Sequence, residues 1–291
     1  MKIFFERSRH ALGKGNTLDW LRVRNGHPRG LVFVPPLIGG ELSQQVSTFR
    51  WLIRRKYDLL SFSYSGHGHS SGTFSLGATL TDTFHMLGHA SRLSEKEQLP
   101  LLGIASCYSA IPFLHALYHL AEPAIKLVLI NAIPTLGPRA VVCSFLAYYG
   151  KVFTGKKRPL GLRTAAGDYA DTLFPGIAKG KGVFGVLERS RAKLLKTLRE
   201  FFTLRPLERV RLAKTPVLCL YARKDRILEI YDGGIHDNYQ KDIRRLCPQA
   251  LFHPLGGDHF LSSPLVKGEA ARSITSFFGG PRHSGDPLAG P

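Results

Sequence analysis

Residues 101–114 read LLGIASCYSAIPFL. The stretch joins two patterns. Leu101 to Ala105 complete a short apolar run, "LPLLGIA", bounded on its left by charged and polar residues, as a buried strand is. From Ser109 onward, "SAIPFLHALYHL" starts like a helix, with Pro112 near the first turn, where a missing N–H costs least. Between them lie three hydroxyl or thiol side chains, Ser106, Cys107 and Ser109. A sharp strand-to-helix turn of this kind can lift one side chain out of the sheet as a nucleophile. The turn brings the residues two before and two after that position close together, so both must be small. Ser106 is flanked by Ile104 and Tyr108, both large, and Ser109 by Cys107 and Ile111, with the serine already in the helix. Cys107 is flanked by Ala105 and Ser109, both small. Sterics select Cys107.

The rest of the chain alternates in the same way. "LDWLRVRNG", "GLVFVPP", "YDLLSFSYS", "IKLVLINA", "TPVLCLYA" and "ALFHPL" read as further strands, bounded by Gly, Pro, Asn and Asp. Helical spacing falls between most of them, roughly over 41–56, 78–93, 109–121, 235–247 and 265–278; Leu42, Val46, Phe49, Leu52 and Ile53 give the pattern for the first. Strand–helix alternation predicts an α/β fold, a doubly wound and mostly parallel sheet covered on both faces. The alternation stops between Asn131 and Lys214. We therefore expect a core formed by 1–131 and 215–279, a helical cap inserted at 132–214, and a disordered Gly/Pro-rich tail at 280–291.

A thiol at the turn is activated by the helix N-terminus and more strongly by a paired histidine. In this strand-turn-helix architecture the acid and then the histidine follow the nucleophile in the chain. Asp225 stands just past the strand "TPVLCLYA", and His259 lies in the Gly-Gly loop after "ALFHPL". Loops at the carboxyl ends of parallel strands are where such sheets carry their chemistry. His259 would take the thiol proton, and Asp225 would fix the imidazole's tautomer. Asp258, Glu229 and Asp232 are rival acids. His253, inside a strand, reads as a core histidine, and His67 and His69 in "YSGHGHSSG" read as turn residues. Two backbone N–H groups should form an oxyanion hole. One is that of Tyr108, after the nucleophile. The other is that of Leu37, because Pro35 and Pro36 have no N–H to give.

The chain has 291 residues, 44% hydrophobic and 21% charged, as a soluble globular protein does. No apolar run approaches the ~20 residues of a membrane span, and "MKIFFERSRHALGKG" lacks the apolar region of a secretory signal. A cytoplasmic location, at most peripheral to a membrane, is the expectation. Cys107, Cys143, Cys219 and Cys247 form no C-x-x-C pair or zinc-type cluster, so neither metal nor other cofactor is expected. Cys219 reads as a core filler. The net charge is +19, and residues 132–214 hold 17 Lys/Arg against 5 Asp/Glu. Such a surface attracts nucleic acid, anionic membrane or acidic protein. No nucleic-acid motif accompanies it. In "VLERSRAKLLKTLREFF", Leu187, Leu194, Leu195, Leu198 and Phe202 share one side, as in a cap helix or a membrane-surface helix. Lys156, Lys157, Arg158, Lys193 and Lys196 are the candidate anion-binding residues.

Taken in chain order, "FVPPLIGG", "YSGHGHSSG", the Cys107 turn, "YARKDRIL" and "GGDHF" resemble the α/β-hydrolase superfamily. Within it the A-x-nucleophile-x-S turn with "GHSSGT", "DR" and "DHFLS" is similar to the acyl-carrier-protein thioesterases of bacterial luminescence. Those use a serine at the position of Cys107. Cysteine nucleophiles with Asp and His occur in dienelactone hydrolases and polyhydroxyalkanoate synthases, whose flanking glycines are Ala105 and Ser109 here. The resemblance implies acyl chemistry. A cysteine makes transfer from a carrier thioester nearly balanced in free energy, whereas transfer from an oxygen ester runs uphill. Three expectations follow. The chain is an acyltransferase or thioesterase using an acyl carrier protein or acyl-coenzyme A; or an esterase or lactonase; or a non-catalytic scaffold on a carrier protein or membrane.

Overall fold

A computed structural model describes residues 3–13, 15–37, 42–134, 196, 199–200, 203–225, 237–257, 261 and 263–279. Eight strands form one sheet: β1 (Ile3–Gly13), β2 (Asn16–Asn25), β3 (Leu31–Phe33), β4 (Asp58–Phe62), β5 (Leu101–Ser106), β6 (Ile125–Ile130), β7 (Val217–Ala222) and β8 (Leu251–Leu255). Their order is β1-β2-β4-β3-β5-β6-β7-β8. β3 to β8 run parallel, and β1 and β2 are antiparallel additions at one edge.

The central strands are apolar runs because both faces are covered. α3 (Leu76–Glu97), α4 (Ala110–His119) and α5 (Asp237–Leu246) pack on one side, with Met86, Phe113, Leu117 and Ile243 in a shared core. α1 (Leu42–Phe49), α2 (Trp51–Arg54) and α6 (Pro264–Phe277) cover the other, through Phe49, Leu52, Val266 and Ile274. Every strand that the apolar spacing predicts is present, as are the helices predicted over 78–93, 109–121, 235–247 and 265–278; the one predicted over 41–56 is split into α1 and α2, and the one read in 186–202 lies almost wholly outside the described residues. β1 is not among the predicted strands. Its residues, IFFERSRHALG, are almost all exposed, so no apolar face marks it. Its partner supplies the order, through an antiparallel register from Ile3↔Asn25 to Gly13↔Asn16.

One buried ionic group ties the edge to the body. Arg22 on β2 donates to Asp58 on β4 at 2.6 and 3.1 Å and to both carboxylate oxygens of Glu97 at the end of α3. Arg22 and Asp58 are fully buried. Among the described residues no helix is long and apolar enough to cross a membrane. Residues 135–195 and 280–291, with most of the proposed cap and the whole tail, lie outside those described.

Candidate active site

β5 ends at Ser106 in extended conformation (φ −122°, ψ 143°), and a single 3₁₀ turn, Cys107–Ser109, leads directly into α4. Cys107 has φ 51°. A left-handed backbone costs a non-glycine residue roughly 1–2 kcal/mol, so neighbouring bonds must hold it. Three do. The Ser106 N–H donates to Ser109 Oγ at 2.9 Å, the Ser109 hydroxyl donates to the Ser106 carbonyl at 2.8 Å, and the Ile133 N–H donates to the Cys107 carbonyl at 3.1 Å. The reversal falls at Cys107 alone, since Ser109 is already helical (φ −63°, ψ −13°).

The two flanking residues are as tightly enclosed as the steric reading requires: Ala105 is fully buried and Ser109 is 1% exposed. Cys107 is partly exposed and its sulfur is in no disulfide. Ser109 is thus a brace of the turn, a role the sequence reading did not give it. The signal was present in the Ser-x-x-Ser spacing of 106–109, which is that of a helix-entry box. Behind the turn, Gly103 is needed for space. A Cβ there would fall 2.5 Å from the Phe113 ring.

Tyr108 is buried, and its phenol shares a hydrogen bond of 2.7 Å with the Thr79 hydroxyl, which also donates to the Leu76 carbonyl. Burial pushes the Tyr108 phenol well up, away from ionisation. The side chain therefore clamps the turn to the start of α3. Its backbone N–H is the expected oxyanion donor. The other expected donor, Leu37, follows β3, which lies beside β5 with Phe33 opposite Gly103. Leu37 and Cys107 each stand four positions beyond that pair, at the carboxyl ends of adjacent strands.

Asp225 is fully buried three residues beyond β7, where its N–H closes a tight turn onto the Ala222 carbonyl at 3.2 Å. The next loop is joined to it. The Lys224 N–H donates to the Gly257 carbonyl at 3.1 Å, and the Arg223 N–H to the Leu255 carbonyl at 2.9 Å. Gly257 stands two residues before His259. His259 itself lies outside the described residues, as do the rival acids Asp258, Glu229 and Asp232, the cysteine Cys143, and the basic candidates Lys156, Lys157, Arg158 and Lys193. Lys196 is described and exposed; its Nζ is 3.9 Å from Glu200.

His253 corrects one expectation. β8 is the last strand of the sheet, so its side chains are only half covered, and His253 Nε2 faces Glu269 Oε1 at 3.3 Å on the surface. It is satisfied, but it is not a core residue. Cys219 is a core residue, as expected, and burial raises its thiol well above the usual range. In the turn after β4, His67 is buried edge-on against the Phe74 ring, with centroids 4.8 Å apart. Gly66 there has φ 78° and no room for a Cβ. Asp82 on α3 holds this turn, accepting from the Ser65 N–H at 2.8 Å and the Ser65 hydroxyl at 3.0 Å. Burial raises the Asp82 carboxyl from 3.8 to about 6.

Glu200, from the segment inserted between β6 and β7, accepts from the Leu76 and Gly77 N–H groups at 2.7 and 3.3 Å. A carboxylate on a helix N-terminus is favoured by the unpaired N–H groups and the dipole. Sequence reading missed this contact, because nothing local relates residue 200 to residue 76. Among the described residues no group of three or more His, Cys, Asp or Glu could hold a metal ion.

No family model matches the chain, and no curated protein sequence does. Solved structures do. A lipase in its open form is 12% identical, with a TM-score of 0.59 over 94% of this chain and 98% of that one. A soluble variant of monoglyceride lipase from Saccharomyces cerevisiae, in complex with a substrate analogue, is 15% identical, with a TM-score of 0.56 over 94% of each chain. An esterase from Pyrococcus furiosus is 13% identical, with a TM-score of 0.61 over 94% of this chain and 90% of that one. With the sheet order and its parallel core, these establish the α/β-hydrolase fold for this chain.

Proposed function

We propose that the chain is an acyl-transferring enzyme in which Cys107 is the nucleophile, His259 its base and Asp225 the residue that orients the base. One observation carries the reading. Cys107 is the residue held in left-handed conformation between β5 and α4, while Ser106 is extended and the hydroxyl of Ser109 is spent inside the turn. The hydrogen bond between the loops of Asp225 and His259 supports the pairing of the other two. In the proposed cycle the imidazole removes the thiol proton, and the sulfur attacks the acyl carbonyl. The backbone N–H groups of Leu37 and Tyr108 stabilise the oxyanion. The leaving group takes the proton back, and water or another acceptor then repeats the sequence on the acyl-cysteine.

The sulfur argues for a thioester donor, from an acyl carrier protein or acyl-coenzyme A, since exchange of one thioester for another is nearly balanced. The part of the segment 132–214 that precedes residue 205, with its excess of basic residues, is the proposed cap that receives this donor, since residues 205–214 lead into the amino end of β7, away from Cys107. A second reading, hydrolysis of an oxygen ester, is favoured by the lipases and esterases that share the fold. Paired substrates with the same acyl group separate the two. Under the first reading kcat/KM for the thioester exceeds that for the oxygen ester by far more than the ratio of their uncatalysed rates. Equal or inverted preference would give the second reading its place, and no turnover of either would leave a scaffold.

A further inference from the structure

A concave site lies at the end of the sheet opposite Cys107. The segment 205–215 leads into the amino end of β7, and residues 244–250 run from the end of α5 into the amino end of β8. Between them is a pocket of about 500 Å³ lined by Glu208, Arg209, Val210, Arg211, Arg244, Arg245 and Pro248. β7 separates it from the loops of Cys107 and Asp225 by six residues of extended chain, roughly 20 Å.

Two bonds fix the walls relative to each other. The Leu212 N–H donates to the Leu246 carbonyl at 2.7 Å, and the Gln249 side-chain amide donates to the Ala213 carbonyl at 2.8 Å. Val210 is buried and forms the floor. Arg244 is set over the Phe252 ring, 4.9 Å from its centroid. Arg245 is aimed at the Glu208 carbonyl, 3.5 Å away. Arg244 and Arg245 stand in the last turn of α5, where cations are favoured by the helix dipole. Arg209 and Arg211 have no such reason, because they lie in a turn and an irregular stretch outside any helix. Among the described residues, none of the four guanidiniums is in an ion pair with a carboxylate.

We propose that this pocket binds a soluble polyphosphate-bearing small molecule. Four arginines against one glutamate leave an excess of three positive charges. A diphosphate or triphosphate group matches that excess; a single carboxylate does not. Planar guanidinium forks bind phosphate oxygens two at a time, which sets these side chains apart from a scatter of lysines. The position at the far end of the sheet makes the occupant a regulator or anchor and not a donor to Cys107. The site therefore stands whether or not Cys107 is a nucleophile.

The test is isothermal titration of the full chain with inorganic tripolyphosphate at constant ionic strength. Saturable 1:1 binding is expected, weakened at least ~10-fold in Arg211→Ser/Arg245→Ser. Arg54→Ser/Arg55→Ser, which removes the same charge from the exposed end of α2, should bind as the wild type does. An equal loss in both variants would reduce the site to diffuse basic charge and overturn the proposal, as would absence of saturable binding. Vesicles of phosphatidylcholine with phosphatidic acid form the second arm. If the pocket arginines matter for vesicles and not for tripolyphosphate, the ligand is a lipid surface and the proposal fails. The arginines are exposed, so melting without ligand should not change. Should the serine variant misfold, Arg211→Lys/Arg245→Lys keeps the charge, removes the fork, and should still weaken binding.

Discussion

At Cys107 a left-handed backbone is held by the Ser106–Ser109 bonds and by the Ile133 N–H. The three adjacent nucleophile-like side chains therefore separate by experiment. Cys107→Ala should abolish turnover with unchanged stability. Ser106→Ala should keep most of the activity. Ser109→Ala should lose on the order of 1 kcal/mol of stability, because the half-buried Ser106 N–H is left without its acceptor, and should slow the reaction without stopping it. Denaturant unfolding and steady-state kinetics on the three variants check this. A dead Ser106→Ala with an active Cys107→Ala would move the nucleophile. Asp225→Asn should cost orders of magnitude in kcat; in the worked serine-protease template the same acid-to-amide change cost roughly 10⁴. His253→Ala should cost under ~1 kcal/mol, as surface ion pairs do, and leave kcat intact. The position of Cys107 at the reversal was legible because its small flanks are a local, steric requirement. The Ser109 brace was written in a four-residue spacing. Glu200 on the start of α3 was not legible, since only the folded chain brings residue 200 to residue 76.

The elements were readable to the degree that burial patterned them. β3 to β7 are covered on both faces and stand out as apolar runs. β1 has no covered face, so its alternation carries no apolar stripe and only its register with β2 reveals it. His253 was misread for the related reason that a strand at the edge of a sheet is half open. Two predictions belong here. Gly103→Ala on β5 should destabilise by ~1–3 kcal/mol, because the new methyl displaces the buried Phe113 ring. Urea unfolding measures it. The second concerns pH. The folded-state Asp82 carboxyl sits at about 6, above its ordinary 3.8. Below pH 4 the group is protonated in both states and costs nothing. Above pH 6 it is ionised in both, and the full cost of burying the charge is present. Its contribution thus worsens as pH rises from 4 to 6. The stability of Asp82→Asn relative to wild type should improve on the order of 2–3 kcal/mol between pH 4 and pH 7. A flat difference would show that Asp82 titrates normally.

For the whole molecule the net charge of +19 bears on how a proposed acidic partner would arrive. If the basic segment preceding residue 205 receives an acidic carrier, association is steered by charge and screened beyond ~8 Å at physiological salt. The rate with a carrier-borne acyl group should fall steeply with added salt, while a short uncharged thioester should respond little. Charge reversal at Lys156, Lys157 and Arg158, or at Lys193 and Lys196, should raise KM for the carrier substrate and spare the small one. Equal salt curves for the two substrates would remove the docking role and leave the proposed triad untouched. The proposed acyl chemistry rests on the sulfur at the end of β5. Its most direct test is peptide mass spectrometry after brief exposure to an acyl thioester, acid-quenched to trap the intermediate. The account predicts one acyl group on the peptide containing Cys107, lost in Cys107→Ala and retained in Ser106→Ala. An acyl group on Ser106, or one that persists in Cys107→Ala, would contradict it.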